Sequence, residues 1–478
     1  MIESLLVANR GEIARRVIRT ARALGVQTVA VYSSADAQLP FVGEADKAVP
    51  LDGPPQVVYR DGAQILSVAA ETGVAAIHPG YGFLSENAEF ARQVAAAGLI
   101  WVGPPVEAIE AMGDKVAARA RMAAAGVPVA PGSADAVSGA DECAREAARV
   151  GYPVMIKAAA GGGGMGMAVV SAPEDLAAEF EKVTGFAGRL FGDDRVFVER
   201  YFPRVRHVEV QVLGLAPGRR PEAGAAQSDT APGRPPQGGA GQTLTAGRVV
   251  ALGERDCSVQ RRNQKVVEET PSPAVDQALR QRMCQAAVRA AEAVGYRNAG
   301  TVEFLLDPAS GEFFFLEMNT RLQVEHPITE AVYGVDLVAE QLRVAAGLPP
   351  TFDVDALRPS GHAIELRINA EDPKRFLPKP GAIESWVEPT GDGVRVDAGY
   401  AAGTTVTPAY DSLIAKLIVH GASRAQALAR AREAVAAFQI TGPEKGGVKT
   451  NLPFLAEVLD SDEFVSGDYD TGIVGRLR

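Results

Sequence analysis

A strand–turn–strand pattern that runs into a dense polar segment constrains this chain more than any other stretch. Thr301–Leu306 and Glu312–Met318 read as strands, and Asp307-Pro308-Ala309-Ser310-Gly311 between them is turn-forming. If Leu306 pairs with Glu312, strand alternation puts Glu303, Glu317 and Asn319 on one face. Phe304, Leu306, Phe314, Leu316 and Met318 then make the opposite, packing face. Two carboxylates and an amide oxygen on a rigid hairpin suit a hard cation such as Mg²⁺ (or Mn²⁺). They equally suit an edge hairpin with solvated acids. Arg321, Gln323, Val324, Glu325 and His326 follow at once, adding a guanidinium, an amide and a further carboxylate.

Composition narrows the function classes. The chain has 478 residues, 47% hydrophobic and 22% charged, which is ordinary globular content with room for two to four domains. A net charge of −11 argues against a general nucleic-acid binder. Three cysteines, Cys143, Cys257 and Cys284, give neither a disulfide framework nor paired zinc spacing, which fits a reducing compartment. The start lacks the length and flanks of a signal peptide, and no apolar run is long enough to span a membrane, so a cytoplasmic protein is expected.

Leu5–Ala8, a helix over Ile13–Leu24 and Val26–Tyr32 make a Rossmann-type β-α-β start without G-x-G-x-x-G. The strand Val74–Ile77 runs into the loop His78–Asn87, placed to line a site at a strand end. Lys157 ends a strand just before Ala160-Gly161-Gly162-Gly163-Gly164-Met165-Gly166, and Met167–Val170 follows. A glycine loop between strands differs from a P-loop and reads as a flap whose N–H groups close over phosphates. Val196–Phe202 is a strand leading to a hinge, and Arg206–Leu213 alternates with His207, Glu209 and Gln211 on one face. Residues 214–247 are low-complexity and read as a disordered insertion in a hairpin. Gly253–Lys265 reads as a dense polar loop. His362–Asn369 is a strand bearing Glu365 and Arg367, and Ser423–Phe438 an amphipathic helix.

The flap after Lys157 with Glu303, Glu317 and Asn319 resembles an ATP-grasp site. Ala8-Asn9-Arg10-Gly11-Glu12-Ile13-Ala14, His78–Glu86, Glu317–Pro327 and Arg367–Asp372 further resemble the biotin carboxylase family, the ATP-dependent component of biotin-dependent carboxylases. The resemblance runs from residue 2 to about residue 455. It implies an α/β and α+β fold in three parts: an N-terminal Rossmann-like domain (1–111), an ATP-grasp domain (112–333) with a mobile lid (about 131–204), and a C-terminal biotin carboxylase domain (334–455), then a tail (456–478). It implies that Lys115, Lys157, Gly163 and Gly164 contact ATP phosphates and that Glu199, Arg200, Tyr201 and Phe202 form the adenine hinge. His207, Gln260 and Asn263 would face the nucleotide, and Glu303, Glu317 and Asn319 would hold Mg²⁺. Lys265, Arg321, Gln323 and Val324 would bind bicarbonate, Glu325 would deprotonate it, and Arg367 would face biotin.

The resemblance also implies ATP and carrier-bound biotin as substrates. Carrier protein and carboxyltransferase are expected on separate chains, and the protein itself as a homodimer or larger assembly. It implies acyl-CoA carboxylases of the acetyl-CoA or propionyl-CoA type, as in fatty acid biosynthesis. The chain departs from the family pattern at Asn263, where a histidine is common, and at Met165 and Ala168, where lid cations are usual. Two further readings share the flap and the acids: another ATP-grasp ligase, and a non-catalytic nucleotide-binding scaffold.

Overall fold

The computed structural model describes residues 2–133, 135–159, 166–216 and 247–478. Gly163, Gly164, Met165 and most of the low-complexity insertion therefore lie outside the described residues.

The chain starts as a parallel five-stranded sheet. Its strands are β1 (Ser4–Val7), β2 (Gln27–Tyr32), β3 (Lys47–Pro50), β4 (Ala76–His78) and β5 (Ile100–Trp101), in the order β3-β2-β1-β4-β5. The helix Gly11–Ala23 follows β1 and buries Ile13, Ala14, Val17, Ile18 and Ala21, the spacing of one helical face. The strand order reverses between β1 and β4, where open α/β sheets bind ligands. Asn9 closes that crevice, its amide donating to the Pro79 and Tyr81 carbonyls at 2.7 and 2.8 Å.

The segment expected to be a lid holds a three-stranded sheet, β7-β6-β8, built from β6 (Val154–Ala158), β7 (Met167–Val170) and β8 (Val196–Arg200). The rest is dominated by one eight-stranded sheet in the order β13-β12-β9-β10-β11-β14-β17-β16. Its strands are β9 (Arg206–Gly214), β10 (Val249–Arg261), β11 (Gln264–Thr270), β12 (Asn298–Asp307), β13 (Glu312–Asn319), β14 (His362–Asn369), β16 (Val394–Ala398) and β17 (Leu413–Gly421). A small ribbon pairs β15 (Ser385–Val387) with β18 (Gln439–Thr441). Because β11 pairs with β14, the large sheet runs without a break across the expected boundary at residue 333. No helix among the described residues is long and apolar enough to cross a membrane.

Two faces of this sheet do different work. On one, the helix Gln277–Glu292 packs Leu279, Met283, Ala286, Ala287 and Ala290 on Val208, Val210, Val212, Val302 and Phe304. Each large aliphatic group buried this way contributes about 1.5–3 kcal/mol. The other face is charged and holds the candidate site.

Three readings of the sequence are corrected. The hairpin register is Asp307↔Glu312, not Leu306↔Glu312, and a bulge at Leu316 changes it again, so that Glu303 pairs directly with Glu317. The extra residue flips the alternation, so Phe313 and Phe315 enter the core while Phe314 and Leu316 lie outside it. Second, Gly253–Lys265 is not a loop. β10 continues to Arg261, and Arg262 and Asn263 form a two-residue turn into β11, both at positive φ as a type I′ turn requires. The charges of this stretch are buried against partners on neighbouring strands, which composition alone does not reveal. Third, Gly214 and Leu215 belong to the strand end before the low-complexity stretch: Gly214 pairs with Val249 in the ladder, and Leu215 is buried.

The expected tail is folded as well. Thr471 N donates to the Val205 carbonyl at 3.1 Å, and the Tyr469 hydroxyl reaches Glu269 at 2.5 Å.

Candidate active site

The site grows from the polar face of β12 and β13 and spreads over β9, β10, β11 and β14. Glu303 and Glu317 face each other across β12 and β13. Like charges so placed repel, and the sheet resolves this unequally. Burial disfavours the Glu303 carboxylate, but Lys265 and His207 outweigh it and hold its pKa well below the usual range. Glu317 is half-exposed, and its desolvation and the facing Glu303 raise its pKa. Lys115, which opens the helix Lys115–Ala124, stands 4.0 Å from Glu317. Asn319 donates to Glu303 Oε1 at 2.8 Å. Two facing carboxylates and an adjoining amide are all hard oxygen donors, so this group fits Mg²⁺ or Mn²⁺.

Lys265 is the electrostatic centre. Its Nζ donates to Glu209 Oε2 at 2.6 Å, Glu303 Oε1 at 3.0 Å and Glu325 Oε1 at 2.6 Å. Glu209 and Glu325 are fully buried, and Arg255, also fully buried, holds the other Glu209 oxygen at 2.6 Å. Charges this deep survive only when paired and hydrogen-bonded. Desolvation works against an ionised Glu325, yet Lys265, Arg367 and Arg255 drive its pKa well below normal. These cations favour the Glu325 carboxylate, which is gripped by Lys265 on Oε1 and by Arg367 Nη2 on Oε2 at 2.9 Å.

The polar segment after β13 arches over this cluster. Arg321 donates from Nε to Glu86 at 3.0 Å, from Nη1 to Gln323 at 2.8 Å and from Nη2 to Asn319 at 3.1 Å. Gln323 donates to Glu303 at 3.1 Å. The Val324 carbonyl accepts from the fully buried Lys416 Nζ at 2.8 Å. Glu303, Asn319 and the Arg321–Glu325 segment are thus one hydrogen-bonded unit.

A second cluster sits at the lid root. Lys157 on β6 and Glu199 on β8 form an ion pair at 2.5 Å, with Arg119 3.6 Å from the same carboxylate. Phe202 stacks on Phe314 of β13 with ring centroids 5.0 Å apart, and Arg200 lies over Phe202 at 5.5 Å. Tyr201 N donates to the Pro153 carbonyl at 2.9 Å. An aromatic shelf with a lysine–glutamate pair beside it can hold a flat heterocycle and a polyphosphate.

His207 and Gln260 join the two ends, the Gln260 amide lying 2.6 Å from His207 Nδ1 and Glu303 Oε2 lying 2.6 Å from His207 Nε2. Asn263 stands apart in the exposed turn. Ala168 lies half-buried on β7, opposite Ile156. Sequence reasoning had not singled out Glu86, Glu209, Arg255, Glu268 or Lys416 as site residues. The alternation of His207, Glu209 and Gln211 was a usable signal for Glu209. Arg255 was hidden by the loop reading of its strand.

Comparison with known proteins bears on the whole chain. Residues 1–109 match the biotin carboxylase N-terminal domain and residues 365–476 its C-terminal domain. Residues 114–218 and 244–351 match the ATP-binding domain of the carbamoyl-phosphate synthase L chain. Biotin carboxylase 1 of Bacillus subtilis is 45% identical over 474 residues, covering 98% of each chain. The Campylobacter jejuni biotin carboxylase–ATP complex aligns with a TM-score of 0.89 at 38% identity, over 100% of this chain and 99% of that one. The biotin carboxylase domain dimer of Hydrogenobacter thermophilus 2-oxoglutarate carboxylase, solved with MgADP, ADP and bicarbonate, aligns at 0.88 and 41%, over 100% and 98%. The three-part architecture, the charged sheet face and these full-length likenesses agree: the chain belongs to the biotin carboxylase family.

Proposed function

We propose that this protein carboxylates biotin with ATP and bicarbonate through carboxyphosphate, in the three-part division expected at about residues 111 and 333. One observation carries the reading. Glu325, held between Lys265 and Arg367, stands in the same hydrogen-bonded unit as Arg321, Asn319 and Glu303, and Glu317 faces Glu303 across the ladder. Bicarbonate held by Lys265, Arg321, Gln323 and the Val324 backbone gives its proton to Glu325. A strongly ionised carboxylate is a weak base, but the cations that depress Glu325 acidify the bound bicarbonate as well, so position decides the transfer.

The freed oxygen attacks the γ-phosphorus of ATP, the bond to ADP breaks, and carboxyphosphate forms. Lys115 and Lys157 spread the phosphate charge, and Glu199 to Phe202 orient the base. Glu303, Glu317 and Asn319 would hold Mg²⁺, which neutralises charge on the transferring group. Carboxyphosphate then splits to CO₂ and phosphate. The phosphate takes the biotin N1′ proton, Arg367 steadies the ureido oxygen, and N1′ bonds to CO₂.

Biotin arrives on a carrier protein, and a carboxyltransferase supplies the acceptor. In this reading both are separate chains, and the protein works in the cytoplasm as a homodimer or larger assembly. A similar chain belongs to a 2-oxoglutarate carboxylase, so the acceptor is not restricted to acyl-CoA. The test is ATP hydrolysis with bicarbonate and free biotin. Turnover that needs both is expected. ATP use indifferent to biotin points to another ligase, and no turnover points to a scaffold.

The lid-root pair gives a separate expectation. Lys157→Met removes a phosphate cation and leaves Glu199 to repel the nucleotide. ATP affinity measured by calorimetry should fall about ten- to hundredfold, the loss of one charged hydrogen bond. Unchanged affinity would remove Lys157 from the phosphate site.

A further inference from the structure

Arg367 is held from behind by groups that the reaction above does not use. Its Nε donates to Glu268 Oε1 at 2.6 Å, and Nη2 lies 2.5 Å from the same oxygen. Glu268 on β11 pairs directly with Glu365 on β14, two residues from Arg367 on the same face. Both carboxyls are fully buried. Glu268 Oε2 and both oxygens of Glu365 have no hydrogen-bond partner. Three orphaned carboxyl oxygens in one dry spot, on facing strands, cannot all be charged cheaply.

We propose that Glu268 and Glu365 act as a pair carrying one negative charge, in which ionised Glu268 positions Arg367 against Glu325 while protonated Glu365 leaves the guanidinium uncontested. The reading rests on Arg367 facing biotin. The surrounding charges favour it. Lys416 on β17 pairs across from Arg367, but its Nζ is committed to the Val324 carbonyl at 2.8 Å and lies 3.2 Å from Glu12. The helix His326–Tyr333 covers the same face and brings Glu325 and His326, the latter kept neutral by burial and by Lys416. The helix Arg424–Ala437 packs on the opposite face, where Arg424 is bound to Glu269. Lys265, on the same strand as Glu268, is shared among Glu209, Glu303 and Glu325. Glu12, Glu268, Glu325 and Glu365 thus still outnumber Arg367, Lys416 and Lys265, and Glu365 is the carboxyl without a hydrogen bond. Desolvation raises Glu365 well above the usual carboxylate range, beyond what Lys416 offsets. It raises Glu268 to about 7 against the pull of Arg367. Ionising both would place a second carboxylate beside Arg367 and draw it away from Glu325 and the ureido oxygen.

The test has two arms on the full chain. The first needs no activity. A native carboxyl whose pKa is raised above its unfolded value of about 4.3 stabilises below that value and loses stability as pH rises toward the folded pKa. Urea denaturation from pH 5 to 8 should show this loss, about tenfold in the folding constant per pH unit, in the wild type but not in Glu365→Gln. Parallel profiles would overturn the proposal. The second arm is kinetic. Glu268→Gln should raise KM for biotin about ten- to hundredfold, the loss of a charged hydrogen bond. Glu365→Gln should keep turnover at neutral pH and lose the alkaline fall of the wild type. An equal loss for Glu365→Gln at every pH would also overturn it. If the wild type shows no biotin dependence at any pH while the denaturation profiles still differ, the singly charged pair stands and the biotin reading falls.

Discussion

Glu325→Gln is expected to lower bicarbonate-dependent turnover by about 10²- to 10⁴-fold, the usual worth of a positioned general base, with ATP affinity within about twofold of wild type. The substitution keeps shape and removes the proton acceptor. Its cost in folding follows from the geometry: one oxygen accepts from Lys265 and the other from Arg367. A glutamine must turn its NH₂ toward one of these donors, losing about 1–3 kcal/mol. Calorimetry with ATP separates the two effects, because the proposed nucleotide cluster around Lys157, Glu199 and Phe202 shares no hydrogen bond with Glu325 among the described residues. Near-normal turnover would transfer the base role to another group. Loss of ATP binding in parallel would mean that the variant is misfolded rather than disarmed.

The sequence carried the local elements, and what it missed shares one cause. The β12–β13 hairpin was legible because Asp307 to Gly311 is a strong turn and the flanks alternate. Its register was not, because one bulged residue, Leu316, decides whether Glu303 meets Glu317. Pairing energies come from neighbours across the ladder, which a single strand does not encode. The same holds for Gly253–Lys265. Arg255, Asp256 and Lys265 look like loop residues until Glu209, Arg206 and Glu303 stand opposite them. The motif residues Glu12 and Glu86 come from the N-terminal domain, yet they tie to Lys416 and Arg321, contacts that only the assembled chain makes.

Lys265→Met should have the largest effect on stability, about 3–5 kcal/mol at neutral pH, because it strips the shared cation from three buried carboxylates. In the wild type Glu303 and Glu325 have depressed pKa values. A depressed acid stabilises the fold above its unfolded pKa of about 4.3, and that stability is lost as pH falls through this value toward the folded one. In the variant, Glu209, Glu303 and Glu325 face each other without Lys265, so their pKa values move upward and protons restore what the ammonium supplied. Stability of the variant should then rise more steeply than that of the wild type as pH falls from 7 to 5, and the gap between them should narrow. Urea denaturation at both pH values checks the sign, and a gap independent of pH would mean that the carboxylates are not charged partners of Lys265. Lys265→Arg separates charge from fit. It keeps the cation and most of the stability, but its wider planar group cannot point at Glu209, Glu303 and Glu325 together as a single ammonium does. Turnover should therefore fall with both substitutions, and stability mainly with methionine.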